Sequence, residues 1–263
     1  MKKISLSILA FWICAVLFGR LLQLNPNAID LNAILSTPNT EFWLGADDLG
    51  RSVLARLLRG VEVSFLVAIS VTVVTMTVGV LVGLVAGFYG GKVDQILMQI
   101  TDVFLAFPGI LLAIAFAAVL GPGLANLMMA LSLTGWVSYA RLARGQTLGL
   151  RNRQHVMAAE SLGASAPRLI FRHILPLLAS ILVVEATYSL ASVIIAEASL
   201  SFLGLGIQAP DASWGAMLRD AVRYMLVAPH FVLIVGLSLM SLILAINLGG
   251  DYLRDALDVK RND

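Results

Sequence analysis

The sequence predicts an all-α integral membrane protein, and three observations carry that prediction. Of its 263 residues 59% are apolar, and the mean hydropathy is +0.90. Only 13% of the residues are charged, about half of the roughly 25% that is typical of soluble domains. The apolar residues are also gathered into six long runs separated by polar segments. A chain of this composition has too few charged side chains to cover a water-exposed surface.

Each run is long enough, or nearly so, to form a membrane-spanning helix. Such a helix needs about 20 mostly apolar residues to cross roughly 30 Å of hydrocarbon. The predicted spans are residues 4–18, 63–88, 97–120, 124–139, 177–203 and 226–248. A cleaved signal peptide is the alternative for the first and shortest span, although no small-x-small cleavage site follows Phe18.

The basic residues predict the orientation of the spans. Two thirds of the 18 Lys and Arg residues fall in segments that lie inside when the N-terminus is cytoplasmic. We therefore expect both termini inside. The expected organisation is a first helix and outer loop in 1–60, a transmembrane core in 61–250 with an inner loop at 141–176, and a cytoplasmic tail in 251–263.

Three loops are too long to be simple turns. In the first outer loop, the apolar stretch 52–58 with Arg56 and Arg59 spaced along one helical face predicts a short interfacial helix. The outer stretch 204–229 predicts a re-entrant or interfacial loop. The inner loop is the most basic region and is expected to form two short helices broken near Gly163.

Several classes of function are excluded by what the sequence lacks. A net charge of +2 is too small to favour nucleic acid as a partner, and the single cysteine, Cys14, cannot form a disulfide within the chain. The three histidines show no metal-ligand spacing. Residues 87–93, GFYGGKV, lack the first glycine and the hydroxyl residue of a phosphate loop. We therefore expect neither enzyme activity nor a metal, cofactor or nucleotide bound by this chain.

Three acidic residues fall within the predicted spans, where an unpaired charge is costly. They are Asp102, Glu185 and Glu197. They either line a substrate or proton path, or Asp102 reaches water at the inner face and the two glutamates hydrogen-bond a neighbouring helix or a partner subunit. With Trp214, which we place in an outer vestibule, Asp102 and Glu197 are the candidate pathway or outer-face residues.

Small residues recur on one face of the second predicted span. Gly79, Gly83 and Gly87 stand at every fourth position, a spacing that lets a second helix backbone approach closely. We expect this face to pack within the bundle or against a second membrane subunit.

The inner loop carries the most specific pattern in the chain, MAAESLG at 157–163 followed by HILP at 173–176. The residues alone predict a short helix, a turn at Gly163 and a second amphipathic helix that is closed by Pro176. Such a segment would lie parallel to the membrane and offer a small surface to a cytosolic partner.

This pattern resembles the EAA loop of ABC-importer permeases, which reads E-A-A, three residues, G, nine residues and I-x-L-P. Ala158, Ala159, Gly163, Leu175 and Pro176 match it in register. Two positions depart from it, because Met157 replaces the glutamate and His173 replaces the isoleucine. In the family that glutamate helps to anchor the loop in the ATPase groove, and Glu160 is the alternative source of that contact here. The resemblance thus implies coupling-loop residues at Met157, Ala158, Ala159, Glu160, Gly163, Leu175 and Pro176.

Three further segments are similar to the oligopeptide, dipeptide and nickel permease group, in its second, C-type subunit. They are WLGADDLGR at 43–51, EASLSFLGLG at 197–206 with the following Pro210 and Trp214, and NLGGDYLRDALD at 247–258. The resemblance therefore covers nearly the whole chain.

The resemblance implies a six-helix ABC type I importer permease in the bacterial inner membrane. Its implied partners are a homologous second permease, two ATPase subunits that hold the ATP and Mg²⁺, and an extracytoplasmic solute-binding protein. The chain would form half of the translocation pathway for small peptides and work by alternating access. A nickel or metal-chelate importer is the alternative, and a proton-coupled secondary transporter with Glu185 or Glu197 as carrier is the remote one.

Overall fold

The computed structural model describes residues 2–258, and these residues are almost entirely helical. The α-helices are α1 (Lys2–Leu21), α2 (Val53–Tyr89), α3 (Gly91–Leu105), α4 (Gly109–Leu120), α5 (Leu124–Leu150), α6 (Gln154–Ser161), α7 (Ala166–Arg168), α8 (Leu175–Phe202), α9 (Trp214–Arg223) and α10 (Pro229–Asp258). A 3₁₀ turn covers Leu31–Ala33, and a π-helical turn, Leu169–Ile174, joins α7 to α8.

Four of the described helices are long and apolar enough to cross a membrane, namely α1, α2, α10 and the continuous α7–α8. The pair α3 and α4 passes the same test together and is bent by 83°, so it is a fifth crossing if the pair forms one span. The predicted fourth span is the 27-residue helix α5, whose inner half carries Arg141 and Arg144. The fold class is confirmed, whereas the predicted count of six spans is not.

Several predicted boundaries differ from the observed helices. The interfacial helix expected at 52–58 is wrong, because these residues lead into α2, a continuous helix of 37 residues with Ser52 as its N-cap. The third predicted span is broken at Pro108, which ends the first helical segment because its ring disfavours a helical residue before it. Helix α5 continues to Leu150, well into the predicted inner loop. The boundary proposed at residue 60 falls inside α2.

The predicted C-terminal tail and the outer stretch 204–229 are both partly helical. Helix α10 continues through the start of the tail predicted at 251–263 and is described as far as Asp258. Residues 259–263 of that predicted tail lie outside the described residues. In 204–229, where a re-entrant or interfacial loop was expected, the structure has the short helix α9.

Three apolar clusters follow one another along α2. The outer cluster joins α1, the start of α2, α9 and α10 around Trp12 and Trp214, whose ring centroids lie 5.1 Å apart. The middle cluster joins α2, α4, α5 and α8 around Leu127. The inner cluster joins α2, α5, α8 and the inner loop around Leu84 and Ile174. Helix α2 is therefore the central element of the fold.

The outer loop before α2 is organised by the buried carboxylate of Asp47. This carboxylate accepts hydrogen bonds from the backbone N–H groups of Leu49 and Arg51, both at 2.9 Å, and from Nε of Arg51 at 2.7 Å. Nε of Arg56 lies 3.3 Å from the same carboxylate. Arg56, which the sequence placed on an interfacial helix, is thus buried against a carboxylate inside the protein.

The neighbouring Asp48 lies in the same loop and is only partly exposed. Burial raises the pKa of the Asp48 carboxyl above its ordinary value, and the charge of Asp47 raises this pKa further. Nη2 of Arg51 lies 3.7 Å from Asp48 and partly offsets this effect. The loop also needs Gly50, because its φ is +71° and a Cβ there would lie 1.7 Å from the carbonyl oxygen of Asp30.

Candidate functional site

The inner elbow, residues 154–176, is a helix-turn-helix with a defined turn. Helix α6 ends in a pair of backbone hydrogen bonds, from the N–H of Gly163 to the oxygen of Glu160 and from the N–H of Ala164 to the oxygen of Ala159. This pair is the Schellman motif, which requires a left-handed residue after the helix. Gly163 fills that position with φ +83°, and a Cβ there would meet no atom within 4 Å. Backbone conformation alone therefore favours glycine at this turn.

One face of the inner elbow is fixed to the membrane domain. Val156, Leu169, Ile170 and Ile174 are buried in the inner apolar cluster, against α2, α5 and α8. Because protein interiors are close-packed, a displacement of this face must be passed to the helices that it contacts. The elbow is consequently attached to the spans by packing as well as by its chain connections.

The other face of the inner elbow exposes large apolar side chains. Met157 is 53% exposed, Leu162 88% and Phe171 54%. Ala158 and Glu160 are also exposed, and Ala159 is half-buried. An apolar patch held on a rigid support is typical of a surface that is covered by another protein.

The end of the inner elbow is irregular in a way that its sequence explains. Leu175 and Pro176 form the first turn of α8, where a missing N–H is tolerated. The residues before them form the π-helical turn, a wider winding that often occurs at functional sites. His173, which departs from the expected isoleucine, lies within this turn and is half-buried.

The glycine stripe of α2 packs against α5 inside the same chain. A Cβ on Gly79 would lie 2.3 Å from the carbonyl oxygen of Trp136, and one on Gly83 would lie 2.3 Å from that of Ala140. A Cβ on Gly87 would lie 2.8 Å from a side-chain carbon of α5. The stripe therefore brings the backbones of α2 and α5 into close contact immediately above the inner elbow.

Two separate cavities lie in the groove between helices α5 and α8. Its inner part is a cavity of about 530 Å³ lined by Gly145, Gly149, Arg153, Leu177 and Ser180, among others. Its middle part is a cavity of about 230 Å³ with a polar lining. The polar side chains of the middle part are Thr134, Ser138, Tyr139, Glu185, Tyr188, Ser189 and Ser192. Sequence reasoning named Glu185 but missed the hydroxyl residues, although they recur every three or four positions on both helices.

The predicted acidic residues do not come together in one site. Nη2 of Arg141 lies 2.5 Å from Asp102, and both side chains are more than half exposed. Glu197 is fully buried and accepts hydrogen bonds from the hydroxyl groups of Ser64 at 2.9 Å and Ser201 at 2.8 Å. The sequence analysis missed the basic partner of Asp102 because it counted Arg141 as part of a loop.

Trp214 lies inside the outer apolar cluster rather than in an open vestibule. Its side chain is fully buried, and its indole N–H donates a hydrogen bond of 2.9 Å to the carbonyl oxygen of Leu57. In this conformation the residue joins α9 to the start of α2. Between residues 2 and 258, no three His, Cys, Asp or Glu side chains are grouped so that they could hold a metal ion.

Comparison with known proteins matches this chain to one protein family and to several transport proteins. Residues 79–260 match the family "Binding-protein-dependent transport system inner membrane component". The chain is 44% identical over 234 residues to a glutathione transport system permease protein, GsiD, of Pectobacterium atrosepticum, covering 89% of this chain and 78% of the relative. It is 41% identical over 226 residues to a dipeptide transport system permease protein, DppC, of Alkalihalophilus pseudofirmus, covering 86% and 74%. Its fold is similar to a chain of the inward-facing MetNI methionine ABC transporter, with a TM-score of 0.62, 19% identity and coverage of 76% and 95%.

Proposed function

The chain belongs to the family of inner-membrane components of binding-protein-dependent transport systems, and from this premise we propose how its described residues take part in transport. It is a multi-pass permease subunit of an ABC importer in the bacterial inner membrane. Such a permease works with an ATPase and a binding protein.

We propose that the inner elbow is the surface through which the ATPase drives the spans. One observation carries this proposal: the elbow exposes Met157, Leu162 and Phe171 on one side and is packed into the inner apolar cluster on the other. ATP binding can shift the spans only if the ATPase contacts the two states of the permease differently. An elbow that is attached on one face and open on the other supplies that contact.

The assembly proposed for this chain has two permeases and two ATPases. A homologous second permease completes the pathway, and the ATPases bind ATP and Mg²⁺ and hydrolyse the nucleotide. In this chain the one segment similar to a phosphate loop is the junction of two helices, since Tyr89 ends α2 and Gly91 begins α3. Gly87 within it contacts α5. These contacts support a packing role for that segment.

We propose small peptides as the transported solutes. Two similar permeases are named for glutathione and for dipeptides, and the groove between α5 and α8 offers hydroxyl groups that can bond to peptide groups. Its middle cavity of about 230 Å³ is somewhat below the roughly 300–1,000 Å³ of complete ligand sites. A cavity of this size is consistent with half of a binding site, with the second permease forming the remaining wall.

Reconstitution tests both the transport function and the coupling role of the inner elbow. The chain is assembled in proteoliposomes with its second permease, its ATPases and its binding protein, and uptake of labelled glutathione and alanyl-alanine is measured. We expect uptake that requires ATP. Uptake driven by a pH gradient without ATP would contradict the function, and uptake of a metal chelate but of neither peptide would contradict the substrate class.

The turn at Gly163 offers a matched pair of variants. Gly163→Pro should abolish ATP-driven uptake, because proline fixes φ near −65° and removes the N–H that bonds to Glu160. Gly163→Asn should retain uptake, since asparagine tolerates the left-handed conformation and no atom lies within 4 Å of the added Cβ. Both variants must assemble with the ATPase for the comparison. Normal uptake by Gly163→Pro would contradict the coupling role.

A further inference from the structure

Glu185 lies where a charged side chain is costly and where the chain provides it with no partner. It belongs to the 28-residue helix α8 and stands about 15 Å along it, given a rise of 1.5 Å per residue. Its carboxylate lines the middle cavity of the groove and is half-buried. It makes no hydrogen bond or ion pair with any residue between 2 and 258. A carboxylate at this depth needs a compensating group.

Glu197 in the same helix shows what a structural carboxylate looks like in this protein. It is fully buried, and Ser64 and Ser201 donate hydrogen bonds to its two oxygens. Asp94 and Asp102 are likewise paired, with Arg144 and Arg141. Glu185 departs from this pattern, so packing of the chain alone does not account for an acidic residue at this position.

The lining of the middle cavity indicates the kind of group that would compensate Glu185. The side chains around it supply hydroxyl groups from Thr134, Ser138, Ser189 and Ser192, and the lining contains no Lys or Arg. Ser138 and Ser192 are exposed on the described chain, so this face turns towards the pathway rather than towards hydrocarbon. A cavity with one negative charge and several hydroxyls suits a small polar solute with a positive end.

We propose that Glu185 binds the free α-ammonium group of the transported peptide within the groove between α5 and α8. The ammonium group supplies the missing positive charge and donates a charge-assisted hydrogen bond. The hydroxyls of Ser189 and Ser192, one and two turns further along α8, are placed to bond to the first peptide group. Glu185 would then select substrates with an unmodified amino end. This inference rests on the peptide-importer function proposed above.

Uptake kinetics of the complete importer test the role of the charge. Glu185→Gln should lower kcat/KM for uptake of alanyl-alanine or glutathione about 10- to 100-fold, chiefly through a higher KM, the range expected when a hydrogen bond between charged groups is lost. Glu185→Asp should restore part of that loss, and both variants should still assemble with the ATPase and the second permease. Glu197→Gln is the matched change in the same helix and should transport close to the wild-type rate.

A labelling experiment tests the position of the amino end directly. In a Cys14→Ser background, Ser138→Cys places a thiol in the lining of the middle cavity and leaves Glu185 intact. Iodoacetamide should alkylate that thiol, with a carbon–sulfur bond formed, iodide released and the thiol proton passed to the buffer. Excess alanyl-alanine should slow the alkylation, which mass spectrometry measures. N-acetyl-alanyl-alanine, which lacks the ammonium group, should protect the thiol less.

The outcomes separate failure of the inference from failure of the function. If the wild-type importer takes up neither peptide, the proposed substrate class is wrong and this inference fails with it. If the wild type takes up peptide while Glu185→Gln transports normally and the labelling is unprotected, only the inference is overturned. If Glu185→Gln instead prevents assembly with the second permease, the carboxylate pairs with that subunit, and the inference is again overturned.

Discussion

The outer and inner ends of this permease use charged side chains in different ways. At the outer end Asp47, Arg51 and Arg56 are buried together, and Trp214 closes over the start of α2. At the inner end Asp102 and Arg141 form an exposed pair, and Leu162 is exposed on the elbow. The outer end thus holds an ionic group inside the protein, although Leu226 and Val227 are exposed there, whereas the inner end keeps such a pair at its surface. Variants at the two ends should accordingly affect different properties, namely stability outside and coupling inside.

The largest expected effect on stability comes from breaking the buried ionic group of the outer loop. Asp47→Ala leaves the buried guanidinium groups of Arg51 and Arg56 without their shared carboxylate, which should cost about 3–5 kcal/mol. The control is Asp102→Ala, which removes one partner of the exposed pair with Arg141 and should cost about 0–1 kcal/mol. Chemical unfolding in detergent measures both changes. If Asp47→Ala and Asp102→Ala lowered the free energy of unfolding equally, the ionic group at the outer end would be no more important for stability than the exposed pair at the inner end.

A smaller loss of stability is expected where α2 meets α5. Gly83→Ala places a Cβ 2.3 Å from the carbonyl oxygen of Ala140, and the forced separation of the helices should cost about 1–3 kcal/mol. Gly236→Ala is the matched control in α10, where a Cβ meets no atom within 4 Å and should stabilise the helix by about 0.5–1 kcal/mol. Thermal unfolding of both variants in the same detergent compares them. A neutral Gly83→Ala would contradict the close contact of the two helices.

The smallest expected effect is a pH dependence at the outer end. Because burial raises the pKa of Asp48 in the folded state, the folded protein binds this proton more tightly than the unfolded chain. Wild-type stability should then fall as the pH rises from about 3.9, the ordinary pKa, through the raised value. Asp48→Asn removes this slope and should be the more stable form near neutral pH, by less than about 1 kcal/mol because the side chain is partly exposed.

Unfolding midpoints between pH 3.5 and 7 measure the difference between Asp48→Asn and the wild type. The difference should grow with pH over that interval and then stay constant. A wild type that gains stability over the same interval relative to the variant would contradict the raised pKa.

The features that the sequence predicted well are those set by local chemistry. Apolar length predicts the helical membrane fold, although not the number of spans. A glycine between two short amphipathic segments predicts the turn at Gly163, because only local backbone geometry decides it. The four-residue repeat of Gly79, Gly83 and Gly87 predicts a close helix contact. It does not tell whether the contacting helix belongs to this chain, since any backbone can fill that space.

The features that the sequence missed depend on contacts between distant residues. Arg56 and Arg59 suggested an exposed interfacial helix, but Arg56 is neutralised by Asp47 and lies inside the protein, so α2 has no need to break. Arg141 similarly suggested the end of a span, although it pairs with Asp102 and lies within the continuous helix α5. The hydroxyls that surround Glu185 come from two helices, and no single segment reveals their common cavity.

Helix α2 is unbroken over its 37 residues, which corresponds to a rod of about 55 Å. If this rod tilts by about 10° around its midpoint, its two tips move by about 5 Å each, in opposite directions. A modest rotation imposed from the cytosol would therefore swing the periplasmic tip the other way, with no joint in between to absorb the motion.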